Sequence, residues 1–231
     1  MFMVRLNAAT QFFPVFYSLF LRDLPGGCKL ERALAKTRRS LVPASVYASD
    51  KKLNLGSGLH PLPRYVNVDI LPERHPDIVA SVEELSFSED GQWDLVRASH
   101  VLEHFPFSRG LEVLAEWARV IRPGGYLVLC VPDYVRLSWR AIFRPEHFDP
   151  LSYADPQKSL DWLNGLFALD LPPAHRHQMV FTHQNIRSML RYVGLEYVGR
   201  QTWLVEEPAS LGIQDDSCGY YSINVVARKP V

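Results

Sequence analysis

Between Lys52 and Ile70 the chain reads KLNLGSGLHPLPRYVNVDI, a stretch that leaves few folds open. Leu53, Asn54 and Leu55 have the character of a buried strand end. Gly56-Ser57-Gly58 follows as a turn in which no Cβ at either glycine blocks a ligand from the backbone. A second apolar run, Tyr65 to Ile70, comes at once and carries Asp69 near its end. Strand, glycine turn, strand and acid is the layout of a nucleotide-binding edge in an open α/β sheet, where the carboxylate accepts hydrogen bonds from ribose hydroxyls. The dinucleotide fingerprint G-x-G-x-x-G fails, because Pro61 stands at the third glycine and Asp69 follows too soon. Six residues separate Gly58 from Tyr65, two of them Pro61 and Pro63. A parallel crossover ordinarily takes about a dozen residues and a helix. The crossover is therefore reduced to a turn, or the second strand begins later than Tyr65.

The remaining elements follow from periodicity. Asp77 to Ala80 (DIVA) is a third short strand, and Gln92-Trp93-Asp94 leads into a fourth, Leu95 to Ser99. Ser108 is placed to cap a helix whose apolar positions Leu111, Leu114, Ala118 and Ile121 follow helical spacing. Pro123-Gly124-Gly125 would stop it, and Tyr126 to Val131 is a continuous apolar strand buried on both faces. After Asp133 the chain to Phe181 is rich in aromatics (Trp139, Phe143, Phe148, Tyr153, Trp162, Phe167) and reads as a helical insert. Gln184 to Tyr192 is a helix ending at Gly194, and Leu195 to Trp203 with Tyr220 to Ala227 makes an antiparallel pair.

Taken with WDLVRASHVLEHF (Trp93 to Phe105) and RPGGYLVLCVPD (Arg122 to Asp133), the glycine stretch resembles the class I S-adenosylmethionine-dependent methyltransferases of the type 11-like, small-molecule kind. The resemblance covers Lys52 to Asp133 well and the C-terminal third more loosely. It implies an α/β, Rossmann-like, mostly parallel seven-stranded sheet with an antiparallel last strand and a helical insert after the fifth strand. In domain terms, 1–49 is a helical extension and 50–231 the methyltransferase domain, with 134–181 as a substrate lid. The implied cofactor is S-adenosyl-L-methionine. It would be held by Asn54, Leu55, Gly56, Ser57 and Gly58 in the glycine turn, by Asp69 and Ile70 at the ribose, by Ser81 and Val82 at the adenine, and by Ser99 and His100 at the methionine end. Relatives commonly carry an acid at the position of Asn54, a glycine at that of His60, and an acid at that of Ser81. The run LNLGSG…NVDI…SHVLEHF…RPGG leans towards bacterial enzymes of surface-glycan or secondary-metabolite modification, so the first expectation is O-methylation of a sugar or other small molecule.

Histidines dominate the candidate chemistry. A hydroxyl acceptor needs a base to take its proton, whereas an amine arriving neutral does not. His100 and His104 are the first candidates for that base and the pair His175/His177 on the insert follows, while Asp133 at the tip of the fifth strand would instead orient a substrate hydroxyl. His100-Val101-Leu102-Glu103-His104 also matches the H-x-x-E-H of one zinc-protease group, but that motif belongs inside a helix and this one leaves a strand. In small-RNA 2′-O-methyltransferases and ubiquinone-pathway O-methyltransferases a similar segment, E-x-x-E-H, binds a divalent metal. Glu103 and His104 match it, His100 replaces its first acid, and His175 or His177 would complete the set. Structural or hydrogen-bonding roles are preferred for these side chains, and no metal is assigned. RNA 2′-O-methylation and a catalytically degenerate cofactor-binding scaffold remain the alternatives.

Composition narrows the partners. The 231 residues balance to a net charge of +0, so nothing pulls the chain generally towards nucleic acid. The first 49 residues hold seven Lys/Arg against Asp23 and Glu31, so a compensating acidic surplus lies in the rest. Within them FFPVFYSLFL (Phe12 to Leu21) precedes a basic stretch, Lys29 to Arg39. This is read as helices packing on the domain, with a peripheral membrane contact as the alternative. Tyr17 and Ser18 interrupt the run, which argues against a cleaved targeting peptide. Leu41 to Lys51 reads as a linker. Cys28, Cys130 and Cys218 are scattered and odd in number, which excludes a disulfide framework and makes a reducing cytoplasm the simplest setting.

Overall fold

A computed structural model describes residues 40–59, 61–143, 176–200 and 222–231. Seven strands form one sheet: β1 (Lys52–Leu55), β2 (Val66–Asp69), β3 (Ile78–Val79), β4 (Trp93–Ser99), β5 (Ile121–Pro132), β6 (Glu196–Arg200) and β7 (Ser222–Arg228), in the order β3-β2-β1-β4-β5-β7-β6. β1 pairs in parallel with both β2 and β4, so strand order reverses there, and the C-terminal ends of these strands open the crevice where such sheets bind ligands. β7 lies antiparallel to β5 and β6, giving the expected mostly parallel α/β sheet with an antiparallel last strand.

Four helices are described: α1 (Ala44–Tyr47), α2 (Phe107–Val120), α3 (Tyr134–Phe143) and α4 (His183–Tyr192). One sheet face is apolar throughout. Leu53, Leu55, Val96, Ala98, Leu127, Leu129, Val225 and Ala227 pack there with Val113, Leu114 and Trp117 of α2 and Ile186, Met189 and Leu190 of α4. On the other face Leu95, Val128 and Val226 meet Val42, Val46, Tyr47, Leu62 and Tyr65. The expected linker thus contributes core: burying Val42, Val46 and Tyr47 fixes Ser40–Tyr47 against the sheet.

The crossover between β1 and β2 has no helix among its described residues. Asn67 explains how a chain this short can make it. Its side chain donates to the carbonyls of Leu62 (3.0 Å) and Tyr65 (3.2 Å) and to Asp77 Oδ2 (2.9 Å), and its Oδ1 accepts from Leu62 N–H at 2.7 Å. Loop backbone that a helix would have satisfied internally is satisfied by one strand amide.

Two sequence expectations are corrected. Ser108 is no cap: α2 starts at Phe107 behind Pro106, whose carbonyl accepts from Gly110 N–H at 2.8 Å. Nor does Pro123-Gly124-Gly125 stop α2. The helix ends at Val120, Ile121 is already extended and pairs with Trp93, and the three residues form an irregularity within β5. Proline disfavours helical backbone in the residue before it, so the break falls ahead of Arg122 rather than at the glycines. α4 behaves as expected, with Thr182 and Asn185 forming a reciprocal cap. The chain leaves β5 at Asp133 and returns beside it, with Tyr134 N–H donating to Phe181 O at 3.0 Å. Of the insert, α3 and residues from 176 on are described. Expectations for residues 1–39, His60, 144–175 (with Phe148, Tyr153, Trp162, Phe167 and His175) and 201–221 lie outside the described residues.

Candidate active site

The glycine turn follows β1 with Gly56 at φ +64° and Gly58 at φ +56°, left-handed conformations that favour glycine. A Cβ on Gly56 would come within 2.4 Å of Val101 Cγ2, so the turn lies directly against the segment leaving β4. A Cβ on Gly58 would meet nothing within 4 Å, which leaves open space beside its backbone. The turn is tied to β2: Ser57 N–H donates to Val68 O at 3.0 Å and Gly58 N–H to Asp69 Oδ2 at 2.8 Å. The other carboxylate oxygen of Asp69 accepts from Leu71 N–H at 3.0 Å. Each oxygen keeps a further lone pair for a ligand hydroxyl. The Ser57 hydroxyl is buried without a partner, and next to Asp69 the side chain of Ile70 is 63% exposed.

Asn54 is fully buried, and its side chain is engaged within the sheet. Its amide donates to Asn67 Oδ1 and its carbonyl accepts from Arg97 Nη1, both at 3.0 Å. A carboxylate here could accept from Arg97 but could not donate to Asn67, which accounts for the departure from an acid. Leu55 is buried beside it in β1.

Beyond β3, Ser81 Oγ accepts from Glu83 N–H at 3.2 Å, and the Val82 carbonyl accepts the indole N–H of Trp117 at 2.9 Å. Glu116 accepts from Leu85 N–H at 2.8 Å, and Arg109 pairs with Glu83 at 2.6 Å. α2 therefore fixes the loop that holds Ser81 and Val82.

At the end of β4, Ser99 pairs with Cys130 and His100 follows at φ +54°, a costly conformation for a non-glycine residue that recurs at functional sites. His100 Nδ1 lies 2.9 Å from Glu103 Oε1 and Nε2 lies 3.0 Å from Ser222 Oγ. Glu103 is wholly buried. Burial raises its carboxyl pKa, but the hydrogen bond and charge of His100, together with the charge of His104, hold it below its ordinary value. Its other oxygen, Oε2, has no hydrogen-bond partner. His104 stands beside His177, with ring centroids 5.3 Å apart. Glu103, His104 and His177 offer ligand atoms within 4.8 Å of one another, whereas His100 faces the Glu103 carboxylate from its own hydrogen bonds. Sequence reasoning missed Asn67, Ser222 and Gln178. Asn67 carried a signal, an amide inside an apolar strand; Ser222 and Gln178 carried none.

A family model described as a methyltransferase domain matches residues 54–199, more than half of the chain. The chain belongs to this methyltransferase family. Among solved structures, a SAM-dependent methyltransferase from Methanosarcina mazei is 15% identical with a TM-score of 0.51, covering 82% of this chain and 99% of that one. A chain from the Haloferax volcanii complex of the Trm112 methyltransferase activator with a methyltransferase is 15% identical at TM-score 0.50, covering 91% and 98%. A Bordetella parapertussis structure titled as a possible exported protein is 17% identical at TM-score 0.47. It matches 87% of this chain, which spans 65% of that protein's length. No curated protein matches the chain. The protein is a SAM-dependent methyltransferase with the Rossmann-like α/β fold, and S-adenosyl-L-methionine is its cofactor. The open space at Gly58, the orphaned Ser57 hydroxyl and the Asp69 carboxylate fit such a group. Among the described residues no helix is long and apolar enough to cross a membrane.

Burial lowers the pKa of His183, the first residue of α4, from 6.5 to about 4, helped by the charges of Arg200, Arg136 and Arg187. Between those values the unfolded chain binds a proton that the folded methyltransferase does not, so stability falls as pH drops from 6.5 towards 4. Urea midpoints for the wild type are expected to fall between about pH 7 and about pH 5 more steeply than those of His183→Gln. Parallel falls would refute this.

Proposed function

We propose that the methyltransferase transfers its methyl group to a hydroxyl of a sugar, glycan or other small molecule, with His100 as the general base. One observation carries the reading: His100 is held in a left-handed backbone with its Nδ1 on the buried Glu103 carboxylate. An ionised Glu103 accepts from Nδ1–H, which leaves Nε2 as the basic nitrogen. Ser222 Oγ now stands against Nε2, so an acceptor hydroxyl takes its place or passes its proton through it.

Bound S-adenosyl-L-methionine supplies an already activated methyl group. The chain's residues then have to bind, align and deprotonate. In this reading Leu55 to Gly58 present backbone to the cofactor, and Asp69 accepts from the ribose hydroxyls with Ile70 beside it. Ser81 and Val82 border the adenine edge, and Ser99 and His100 meet the methionine portion. His100 Nε2 takes the acceptor proton as the new C–O bond forms. His104 remains a second candidate base. Residues 1–49 are taken as a helical extension, with a peripheral membrane contact as the alternative, residues 134–181 as the lid over the acceptor, and the cytoplasm as the compartment. The charge balance favours a small-molecule acceptor over nucleic acid.

The test is a screen of sugars, polyols, phenols and amines, read as S-adenosylhomocysteine released. A hydroxyl acceptor is expected, and His100→Gln should lower kcat by roughly 10²–10⁴-fold, far more than it weakens cofactor binding. Turnover on amines alone, or an unimpaired His100→Gln enzyme, would overturn the proposal.

A further inference from the structure

We propose that the hydroxyl acceptor carries an oxyanion, a phosphate or carboxylate, which Arg136, Arg187, Arg200 and His183 receive beside the end of β5. The inference rests on the O-methylation reading above and adds to it the charge of the acceptor. The three arginines come from three elements, α3, α4 and β6. Asp133, buried just past β5, gathers two of them: its Oδ2 lies 3.4 Å from Arg136 Nε and 3.7 Å from Arg200 Nη2. The Arg187 guanidinium lies over the Tyr197 ring, 5.0 Å from its centroid, on the strand that ends in Arg200. His183 stands one helical turn before Arg187 on the same side of α4. The charges of all three arginines reach it.

Two observations point to a ligand rather than to ion pairing alone. His183 Nε2 is shut off from solvent and has no hydrogen-bond partner, a state that buried polar atoms rarely keep. Among these side chains one carboxylate, Asp133, stands against three guanidiniums, whose planar forks suit two-point binding of a phosphate or carboxylate. Arg136 and Arg200 are only 11% and 23% exposed, so an anion placed there meets them with little water between. The positive end of the α4 dipole adds to the attraction. The cluster also adjoins the reacting centre. Asp133 follows Pro132, which pairs with Ser222, the residue bonded to His100 Nε2. The chain entering α4 is clamped to the turn after β4: Gln178 N–H donates to Glu103 O and its side-chain amide to His104 O, both at 2.7 Å. A small acceptor with its hydroxyl at His100 thus extends its anionic group towards the arginines.

The anion site is tested first without turnover. Full-length protein holding S-adenosylhomocysteine is titrated calorimetrically with inorganic phosphate and with acetate at fixed ionic strength. Bound phosphate should raise the His183 pKa from about 4, because an anion favours the charged imidazole. Proton NMR of the ring between about pH 5 and about pH 7 reads that rise. Arg187→Gln and His183→Gln leave both arginine partners of Asp133 in place, and each should weaken phosphate by about 10-fold. Acceptors are then compared in matched sets, a hexose against its phosphate ester and its uronic acid. The charged members should be favoured by about 100-fold in kcat/KM, chiefly through KM, and each variant should shrink that preference by about 10-fold. Whichever charged member is used better identifies the oxyanion. Phosphate binding that both variants weaken, with no turnover of any hydroxyl acceptor, would keep the anion site and sink the O-methylation reading. No anion binding by the folded wild type, binding that neither variant weakens, or equal use of neutral and charged acceptors would overturn the site.

Discussion

Asp69→Ala is expected to raise the dissociation constant for S-adenosylhomocysteine by about 100-fold or more, close to 2.7 kcal/mol at about 1.4 kcal/mol per tenfold change. Two effects add. Hydrogen bonds from ribose hydroxyls to a carboxylate contribute roughly 1.5–3 kcal/mol each. The same carboxylate also holds Gly58 N–H and Leu71 N–H, so its loss loosens the glycine turn as well as the ribose contact. Asp69→Asn separates the two effects. It keeps the volume, but its amide must direct N–H groups at one of those backbone donors. Calorimetric titration should therefore place it between wild type and Asp69→Ala. An alanine variant that binds within about threefold of wild type, under 1 kcal/mol, would remove Asp69 from the cofactor site.

Trp117→Ala should cost about 3–5 kcal/mol of stability, the usual range for emptying a buried aromatic site. Trp117 is completely buried at the centre of the larger core cluster. Its effect reaches the site as well, because the indole N–H is bonded to the Val82 carbonyl. Trp117→Phe tests that link: most of the volume remains, while Val82 O loses its donor at a cost of about 1–3 kcal/mol. Urea unfolding should rank wild type above Trp117→Phe above Trp117→Ala. Cofactor affinity should fall in the phenylalanine variant even where it is fully folded. A phenylalanine variant with wild-type affinity would show that Val82 is held without Trp117.

The two variants act on parts of the protein that differ in how plainly the sequence announces them. The glycine turn was legible because left-handed backbone directly after a strand demands glycine at a fixed place. The mostly parallel sheet and the antiparallel last strand followed from the family resemblance that the motifs carry. The limits of α2 were misplaced at both ends, since Ser108 and Pro123-Gly124-Gly125 are local signals that lost to a backbone bond at Pro106 and to pairing of Ile121 with Trp93. Local chemistry names a capable residue; packing decides whether it is used.

Long-range partners were not legible. His100 and Glu103 are three apart and could be suspected, but the Ser222 contact spans 122 positions and the tilted placement of the His177 ring beside His104 joins two segments far apart in the chain. Asn54 has the position of a cofactor ligand, yet Asn67 and Arg97 take up its side chain. The sequence by itself determined the fold class and, through the family resemblance its three motifs carry, the cofactor, because each of those motifs is a pattern of short range. Only the tertiary structure decided which histidine meets Glu103, which one stands with His104, and where Asn54 points. Those outcomes depend on sheet register and on where distant loops return, which no local pattern carries.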